Sequence, residues 1–527
     1  MCIDIPPIFY KTLSKLKMKI VRNNFNSKKK LVLLLFCCIS IFANAQKQTT
    51  KNPSAPKPNV VFILIDDMGW KDVGFNGSTF YETPNIDKLS KEGMKFTNAY
   101  AACPVCSPTR ASIMTGKYPA TMKTTDWFGA PQPEDAAKNK NWSRKKLLPA
   151  AYIENLPLEE TTIAEALKAG GYKTFISGKW HLGETEKYWP ENQGFDINKG
   201  GYYIGHPDSY FSPYNNPRLT DGPVGEYLGD RVAAEAVSFI DANKKNPFFA
   251  YIPFYEVHGP MQAKDSLIKK YTLKKERLGL KDEFVMQGNT KTRSNQSLPV
   301  YAAMVESTDN AIGNILKKIK AEGLEKNTIV VFFSDNGGLS TAEGSPTSNM
   351  PFRGGKGWLY EGGIREPMIM KYPGKIKEGT VNNVPVISND FYPTLLEMVG
   401  LPLMPQQHTG GLSIVPLLKN MDIKREALYW HYPHYGNQGG SPGAATRMGK
   451  WKLIEWYENN NVELFDLEKD VPEQNNVANN FPEIKTKMLA MLHDWQKKEN
   501  AVMPTLNPKF NDTIKSGAVN ALHNNSF

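Results

Sequence analysis

The chain has 527 residues, of which 40% are hydrophobic and 22% charged, a balance that supports a sizeable packed core and excludes a disordered chain. Its formal net charge is +11, but eight cations and only one acid lie in residues 1–45, and without them the balance falls to +4. That is too mild a surplus to support a nucleic-acid-binding reading.

In chain order, the first feature is an address. Lys28-Lys29-Lys30 precedes an apolar run from Leu31 to Phe42, and Ala43-Asn44-Ala45 offers the small residues of a signal-peptidase site. Residues 1–45 are therefore expected to be a signal peptide cut at Ala45-Gln46, sending the protein to the periplasm or outside the cell. The apolar run is too short to span a membrane comfortably, so no membrane span is expected after cleavage. Of five cysteines, Cys2, Cys37 and Cys38 leave with the signal, and only Cys103 and Cys106 stay, which excludes a disulfide framework. Residues 46–58 read as a polar, Pro-containing linker.

From there the pattern alternates strand and helix. Val60–Ile65 is a continuous apolar run, as in a strand buried on both faces of a parallel sheet, and it ends in Asp66-Asp67. A helix over 84–92 follows. Cys106 lies two residues before Pro108 and four before Arg110, at an expected helix start, where the helix dipole favours negative charge. With Cys103 it also makes C-x-x-C, the spacing of a thiol redox site, and that alternative stays open on spacing alone. A helix at 162–169 leads to a strand at Lys173–Ser177, which ends in Gly178-Lys179-Trp180-His181. A helix at 229–243 leads to a strand at Phe248–Phe254, which ends in Tyr255-Glu256-Val257-His258. A helix at 300–322 leads to a strand at Thr328–Phe333, which ends in Ser334-Asp335-Asn336.

Open α/β sheets bind ligands beyond the carboxyl ends of their strands, so four strands delivering polar groups there describe one site. Asp66, Asp67, Asp335 and Asn336 form an all-oxygen set suited to a hard cation, Ca²⁺ before Mg²⁺. Each pair alone would read as a turn cap. Lys179 and His181 are spaced to meet one ligand, and Lys356 precedes the Gly-rich stretch Glu361-Gly362-Gly363-Ile364-Arg365, which lets backbone approach a ligand. Past residue 420 the texture turns to β and aromatic. Strands are expected at Ala427–Tyr432, Ala445–Trp456 and Val462–Leu467, with a helix at Pro482–Lys498. Trp430-His431-Tyr432-Pro433-His434-Tyr435, with Arg447, offers stacking surfaces and donors that would hold a sugar, strand-edge packing being the other reading.

The runs Cys106-Ser107-Pro108-Thr109-Arg110-Ala111-Ser112-Ile113-Met114-Thr115-Gly116 and Gly171–His181 resemble the two sulfatase signatures. Over about residues 57–500 the chain resembles the type I, formylglycine-dependent sulfatases of the arylsulfatase family, within the alkaline phosphatase superfamily. The resemblance implies an α/β/α sandwich with a mostly parallel sheet over 59–420. A small C-terminal α+β subdomain with an antiparallel sheet over 421–500 and an extension over 501–527 would follow. It further implies that a formylglycine-generating maturation enzyme converts Cys106 to formylglycine, assisted by Arg110 and Lys179. Asp66, Asp67, Asp335, Asn336 and the modified Cys106 would bind calcium, Lys179, His258 and Lys356 would bind sulfate, and His181 would serve the nucleophile. The implied function is hydrolysis of sulfate esters on a sulfated polysaccharide, with algal ulvan or carrageenan favoured and His434 and Arg447 on the sugar. A phosphonate or phosphate ester hydrolase of the same superfamily and a non-catalytic sulfated-glycan-binding protein are the alternatives.

Overall fold

Strand β1 (Asn59–Ile65) shows how the sequence sets the architecture, because all seven of its residues are buried. Val61, Ile63 and Ile65 point into one apolar cluster, and Val60, Phe62 and Leu64 into another, as the two-residue period of a strand requires. Each such side chain contributes roughly 1.5–3 kcal/mol relative to exposure, which favours placing this strand at the centre of the sheet. The computed structural model describes residues 56–511. The expected signal peptide, the linker up to residue 55 and the extension beyond residue 511 lie outside them.

The remaining strands of the main sheet are β2 (Met94–Tyr100), β3 (Lys173–Ser177), β4 (Ile197–Lys199), β5 (Phe248–Pro253), β6 (Thr328–Ser334), β7 (Arg365–Lys371) and β8 (Thr380–Asn382). Their spatial order is β8-β2-β7-β6-β1-β5-β3-β4, with the two-residue strand Val386–Ile387 also on β2. Every pairing is parallel except those of β7, which runs antiparallel to β2 and β6. One face is covered by α1 (Pro84–Glu92), α4 (Leu228–Asn243), α5 (Asp265–Arg277) and α6 (Pro299–Ala321). The other is covered by α2 (Cys106–Thr115), α3 (Ile163–Ala169) and α7 (Phe391–Met398). The result is the expected α/β/α sandwich with a mostly parallel sheet. Helix α3 opens with a capping box, Thr162 and Glu165 each bonding the other's backbone N–H, which fixes where the chain turns toward β3.

A second, antiparallel sheet has the order β9 (Leu428–Tyr432), β10 (Gly443–Met448), β11 (Trp451–Trp456), β12 (Asn461–Asp466), backed by α8 (Pro482–Lys498). The single strand expected over Ala445–Trp456 is in fact a hairpin, because Gly449 takes φ +57° and turns the chain between β10 and β11. This sheet shares a core with the segment just before α2. Ala102, Cys103 and Val105 pack with Trp430, Leu453 and Phe465, and the Trp430 indole donates to the Ala101 carbonyl at 2.8 Å. Lys452, fully buried on β11, pairs with Glu361 at 3.0 Å and Glu473 at 2.9 Å, which joins this sheet to the helical turn Glu361–Ile364. From Lys57 on, the described residues form one compact unit. Among them no helix is long and apolar enough to cross a membrane.

Candidate active site

The four strand ends do converge. Beyond β1, Asp67 adopts φ +60°, and the Asp335 N–H donates to the Ile65 carbonyl at 3.1 Å, which brings the ends of β1 and β6 together. The Val257 N–H donates to the Asp66 carbonyl at 2.7 Å and adds the end of β5. Beyond β3, Gly178 at φ +116° and His181 at φ +57° bend the chain so that both Lys179 and His181 face inward. A Cβ on Gly178 would fall 2.0 Å from the Pro253 carbonyl oxygen, so only glycine allows this approach.

Asp66, Asp67 and Asp335 are buried and present oxygens within 4.8 Å of one another. Lys179 Nζ lies 2.6 Å from Asp66 Oδ2, Lys356 Nζ 2.9 Å from Asp67 Oδ2, and Arg110 Nε 2.7 Å from Asp335 Oδ2. The Asn336 amide donates to Asp67 Oδ1 at 2.8 Å, and among the described residues neither its own Oδ1 nor Asp66 Oδ1 has a hydrogen-bond partner. Buried orphan oxygens beside three carboxylates suit a hard dication, for which the donor set contains neither thiolate nor imidazole. Burial opposes ionisation of Asp67, but Lys356 foremost, with Lys179 and the Asn336 amide, outweighs it and holds the carboxyl at about 2. Asp66 is pushed up, first by burial and then by the neighbouring acids.

Cys106 is the first residue of α2, with extended Val105 as its N-cap, so its side chain sits at the positive end of the helix. Burial nevertheless pushes its thiol up, against the pull of Lys179 and Lys356, so that the unmodified side chain stays protonated. Its Sγ lies 3.4 Å from His181 Nδ1. The other ring nitrogen, Nε2, lies 3.1 Å from the Phe128 carbonyl, which can only accept. Nε2 therefore carries the proton and Nδ1 is bare toward Cys106. Burial first, and Lys179 next, keep this imidazole neutral. Arg110 also donates to the Lys179 carbonyl at 2.9 Å, which ties the nucleophile helix to the end of β3. His258 places Nε2 3.6 Å from Asp67 Oδ2 and turns Nδ1 to the Gly259 carbonyl at 3.0 Å.

Ten residues singled out in the sequence thus meet here: Asp66, Asp67, Cys106, Arg110, Lys179, His181, His258, Asp335, Asn336 and Lys356. The two expected on the sugar do not join them. His434 is buried with Nε2 2.8 Å from Thr125 Oγ1, and Arg447 is directed to the Tyr100 hydroxyl and to Asn98 Oδ1 at 3.4 Å. Trp430 and His431 are likewise buried and bonded within the protein, so this segment is used in packing. Sequence reasoning missed Ser107, whose Oγ lies 3.2 Å from His181 Nδ1 and accepts the Phe128 N–H at 3.1 Å. Its place beside Cys106 was the available signal. Also missed was the wall Thr125–Phe128, which carries no motif.

A profile described as Sulfatase matches residues 58–401, and one described as N-sulphoglucosamine sulphohydrolase, C-terminal, matches residues 354–498. A protein of Formosa agariphila named Sulfatase is 32% identical, over 90% of this chain and 94% of its own length. An Ulvan-active sulfatase of the same organism is 31% identical, over 84% of this chain and 80% of its own. The crystal structure of Ps i-CgsB in complex with k-i-k-neocarrahexaose superposes with a TM-score of 0.69 at 30% identity, covering 86% of this chain and 94% of that one.

Proposed function

Since the chain belongs to the sulfatase family, and is a sulfuric ester hydrolase, we propose that it is an exported enzyme removing sulfate esters from a sulfated polysaccharide or its oligosaccharides. In this reading Cys106 is converted to formylglycine by a maturation enzyme, and calcium is held by Asp66, Asp67, Asp335 and Asn336 together with the modified Cys106. The observation that carries it is the placement of Cys106 at the start of α2, 3.4 Å from the bare Nδ1 of His181 and beside the acidic cluster. The related Ulvan-active sulfatase and the Ps i-CgsB complex with k-i-k-neocarrahexaose support an algal polysaccharide, ulvan or carrageenan, as substrate class. Export to the periplasm or medium rests on the leader ending at Ala45.

Formylglycine supplies a hydrated aldehyde as the nucleophile toward sulfur, and calcium supplies positive charge to the sulfate oxygens. Everything else is done by side chains. Lys179 and Lys356 are ammoniums aimed at the same small volume, and Asp67 pushes the Lys356 pKa up despite its burial, so that this charge is retained for the sulfate. Arg110 is fixed by Asp335 and by the Lys179 carbonyl, and it holds the start of α2 against the strand ends. His181, neutral and bare at Nδ1, accepts a proton at the nucleophile. His258 is neutral before substrate arrives, by burial and by Lys356. An anionic ester alongside favours a second proton at Nε2, which His258, with Lys356, delivers to the departing sugar oxygen.

The test is to express the protein with a formylglycine-generating enzyme and weigh the tryptic peptide Phe96–Arg110, where conversion removes about 18 daltons. Sulfate release is then measured on ulvan, carrageenan and glycosaminoglycan oligosaccharides and on an aryl phosphate. Converted protein should release sulfate from an algal oligosaccharide and little phosphate, and a folded Cys106→Ala variant should release none. Substantial turnover by Cys106→Ala would sink the reading.

A further inference from the structure

The segment between β4 and α4 touches both histidines of the site. The Tyr202 carbonyl accepts the His181 N–H at 3.1 Å. Gly205 lies so close to the His181 ring that a Cβ there would fall 2.7 Å from Cε1 and 3.0 Å from Nε2. The next residue, His206, stacks on His258 with ring centroids 5.9 Å apart and planes inclined by 14°. The segment is fastened on both sides of this contact. Gly200 offers its carbonyl to the Tyr255 hydroxyl at 2.8 Å and to the Asn216 amide at 2.9 Å, and the Tyr210 hydroxyl lies 2.7 and 2.8 Å from the carbonyl oxygens of Tyr255 and His258.

His206 is thus held in place by a rigid neighbour, yet its side chain is exposed. Its Nδ1 reaches only the carbonyl of the adjacent Pro207, at 3.3 Å, and Nε2 has no hydrogen-bond partner among the described residues. A positioned imidazole with a free edge is a ready partner for a hydroxyl. In the reading above His258 serves the oxygen that leaves sulfur, so the sugar carbon bearing that oxygen would lie next to His258, on which the exposed His206 ring is stacked.

We propose that His206 determines specificity for the leaving sugar, a free ring nitrogen hydrogen-bonding a hydroxyl of the saccharide that carries the sulfate ester. This rests on the sulfatase reading above. The site would then favour saccharide esters over small aryl sulfates, which carry no such hydroxyl.

The experiment compares kcat/KM on p-nitrophenyl sulfate with kcat/KM on the sulfated oligosaccharide turned over best in the panel above, for wild type, His206→Ala, His206→Phe and His206→Gln. Losing one hydrogen bond to a substrate hydroxyl should lower the saccharide-to-aryl ratio about tenfold in His206→Ala and His206→Phe, chiefly through KM. His206→Gln, which keeps a donor and an acceptor, should recover most of it. The exposed position predicts unchanged unfolding temperatures for all three. A wild-type ratio in His206→Phe would assign the stack rather than the hydrogen bond and overturn the proposal, as would a His206→Gln no better than His206→Phe. A wild type that is converted at Cys106 yet hydrolyses neither substrate would instead refute the sulfatase reading, and the proposal with it.

Discussion

Arg110 is the buried cation whose removal gives the sharpest stability test. It is fully buried, 2.7 Å from Asp335 and 3.6 Å from Asp66. Lys179 still faces Asp66 if Arg110 is lost, but among the described residues Asp335 keeps no cation within salt-bridge distance. Arg110→Met fills most of the same volume with an adaptable apolar chain, so the cost comes mainly from the stranded carboxylate. Breaking one partner out of a buried pair costs about 3–5 kcal/mol. For a folded unit of this size, an unfolding entropy of ~2 cal/mol/K per residue converts each kcal/mol into roughly one degree. Scanning calorimetry in excess chelator should therefore place Arg110→Met about 3–5 °C below wild type. Excess calcium should narrow that gap, because a dication near Asp335 takes over part of the balance. Adding Asp335→Asn to Arg110→Met should recover part of the loss, with a coupling of roughly 0.5–3 kcal/mol. Equal midpoints for Arg110→Met and wild type in chelator, or strict additivity in the double variant, would refute the argument that this pair is a buried charge balance.

Two further outcomes follow from single positions. Burial pushes the Asp126 carboxyl up to about 7 from an ordinary 3.8, with Trp127 N–H and the Tyr432 hydroxyl bonded to its Oδ1. Because the folded value lies above the unfolded one, the protonated form is the stabilised one, and its contribution is complete below about pH 4 and lost as pH rises through 7. Asp126→Asn keeps both acceptor bonds without a charge, so its unfolding midpoint should overtake that of wild type by a widening margin from pH 5 to 8, on the order of 1–4 kcal/mol; parallel pH curves would count against the buried acid. Gly178→Ala must both hold φ +116° and drive a Cβ toward the Pro253 carbonyl, so it should lower kcat/KM on sulfate esters by about 100-fold by displacing Lys179, and near-wild-type turnover would contradict that placement.

What the sequence disclosed, and what it hid, follows from how local each signal is. Val60–Ile65, Phe248–Pro253 and Thr328–Ser334 announce themselves as largely apolar runs because a strand covered on both faces has little polar side to show, while Lys173–Ser177, with only Phe175 and Ile176 apolar, is a weaker signal of the same kind. Their polar termini fall in register since parallel strands present the same end to one edge, and Asp66, Asp67, Lys179, His181, His258, Asp335 and Asn336 could be gathered from that alone, whereas Cys106, Arg110 and Lys356 came from the helix start, the Gly-rich stretch and the resemblance to the sulfatase signatures. Strand β7 escaped notice because Arg365-Glu366-Pro367 opens it with two charges and a residue lacking an N–H. The pairing with β2 is irregular between Glu366 and Met368, which accommodates Pro367. His434 and Arg447 looked available to a sugar because histidine and arginine are usually at least partly exposed. Burial against Thr125 and Tyr100 is a tertiary fact with no local signature. His206 is the converse, a residue in an irregular segment whose importance appears only when the chain lays it on His258.

The charges of the site favour the metal that the proposed reading places there. Asp66 is matched by Lys179, Asp67 by Lys356 and Asp335 by Arg110, and burial favours the neutral form of both histidines of the site. Counted as ionised, three carboxylates against three cations leave these side chains without net charge, so on their own they would offer little to draw an anionic ester out of water, where its hydration is strong. A hard dication in the orphaned oxygens of Asp66 and Asn336 would give the site a net charge of about +2, enough to offset a sulfate monoester with some to spare for charge that develops on sulfate oxygens during transfer. The same balance explains why each acid is paired at all. Lys356 helps hold Asp67 ionised against its burial, and Lys179 and Arg110 oppose the burial that pushes Asp66 up, so these pairings work against protonation of oxygens that a cation would need. In the proposed reading, the cations that would face the sulfate thus also ease ionisation of the oxygens that would hold the metal, which would make the two sites one electrostatic unit.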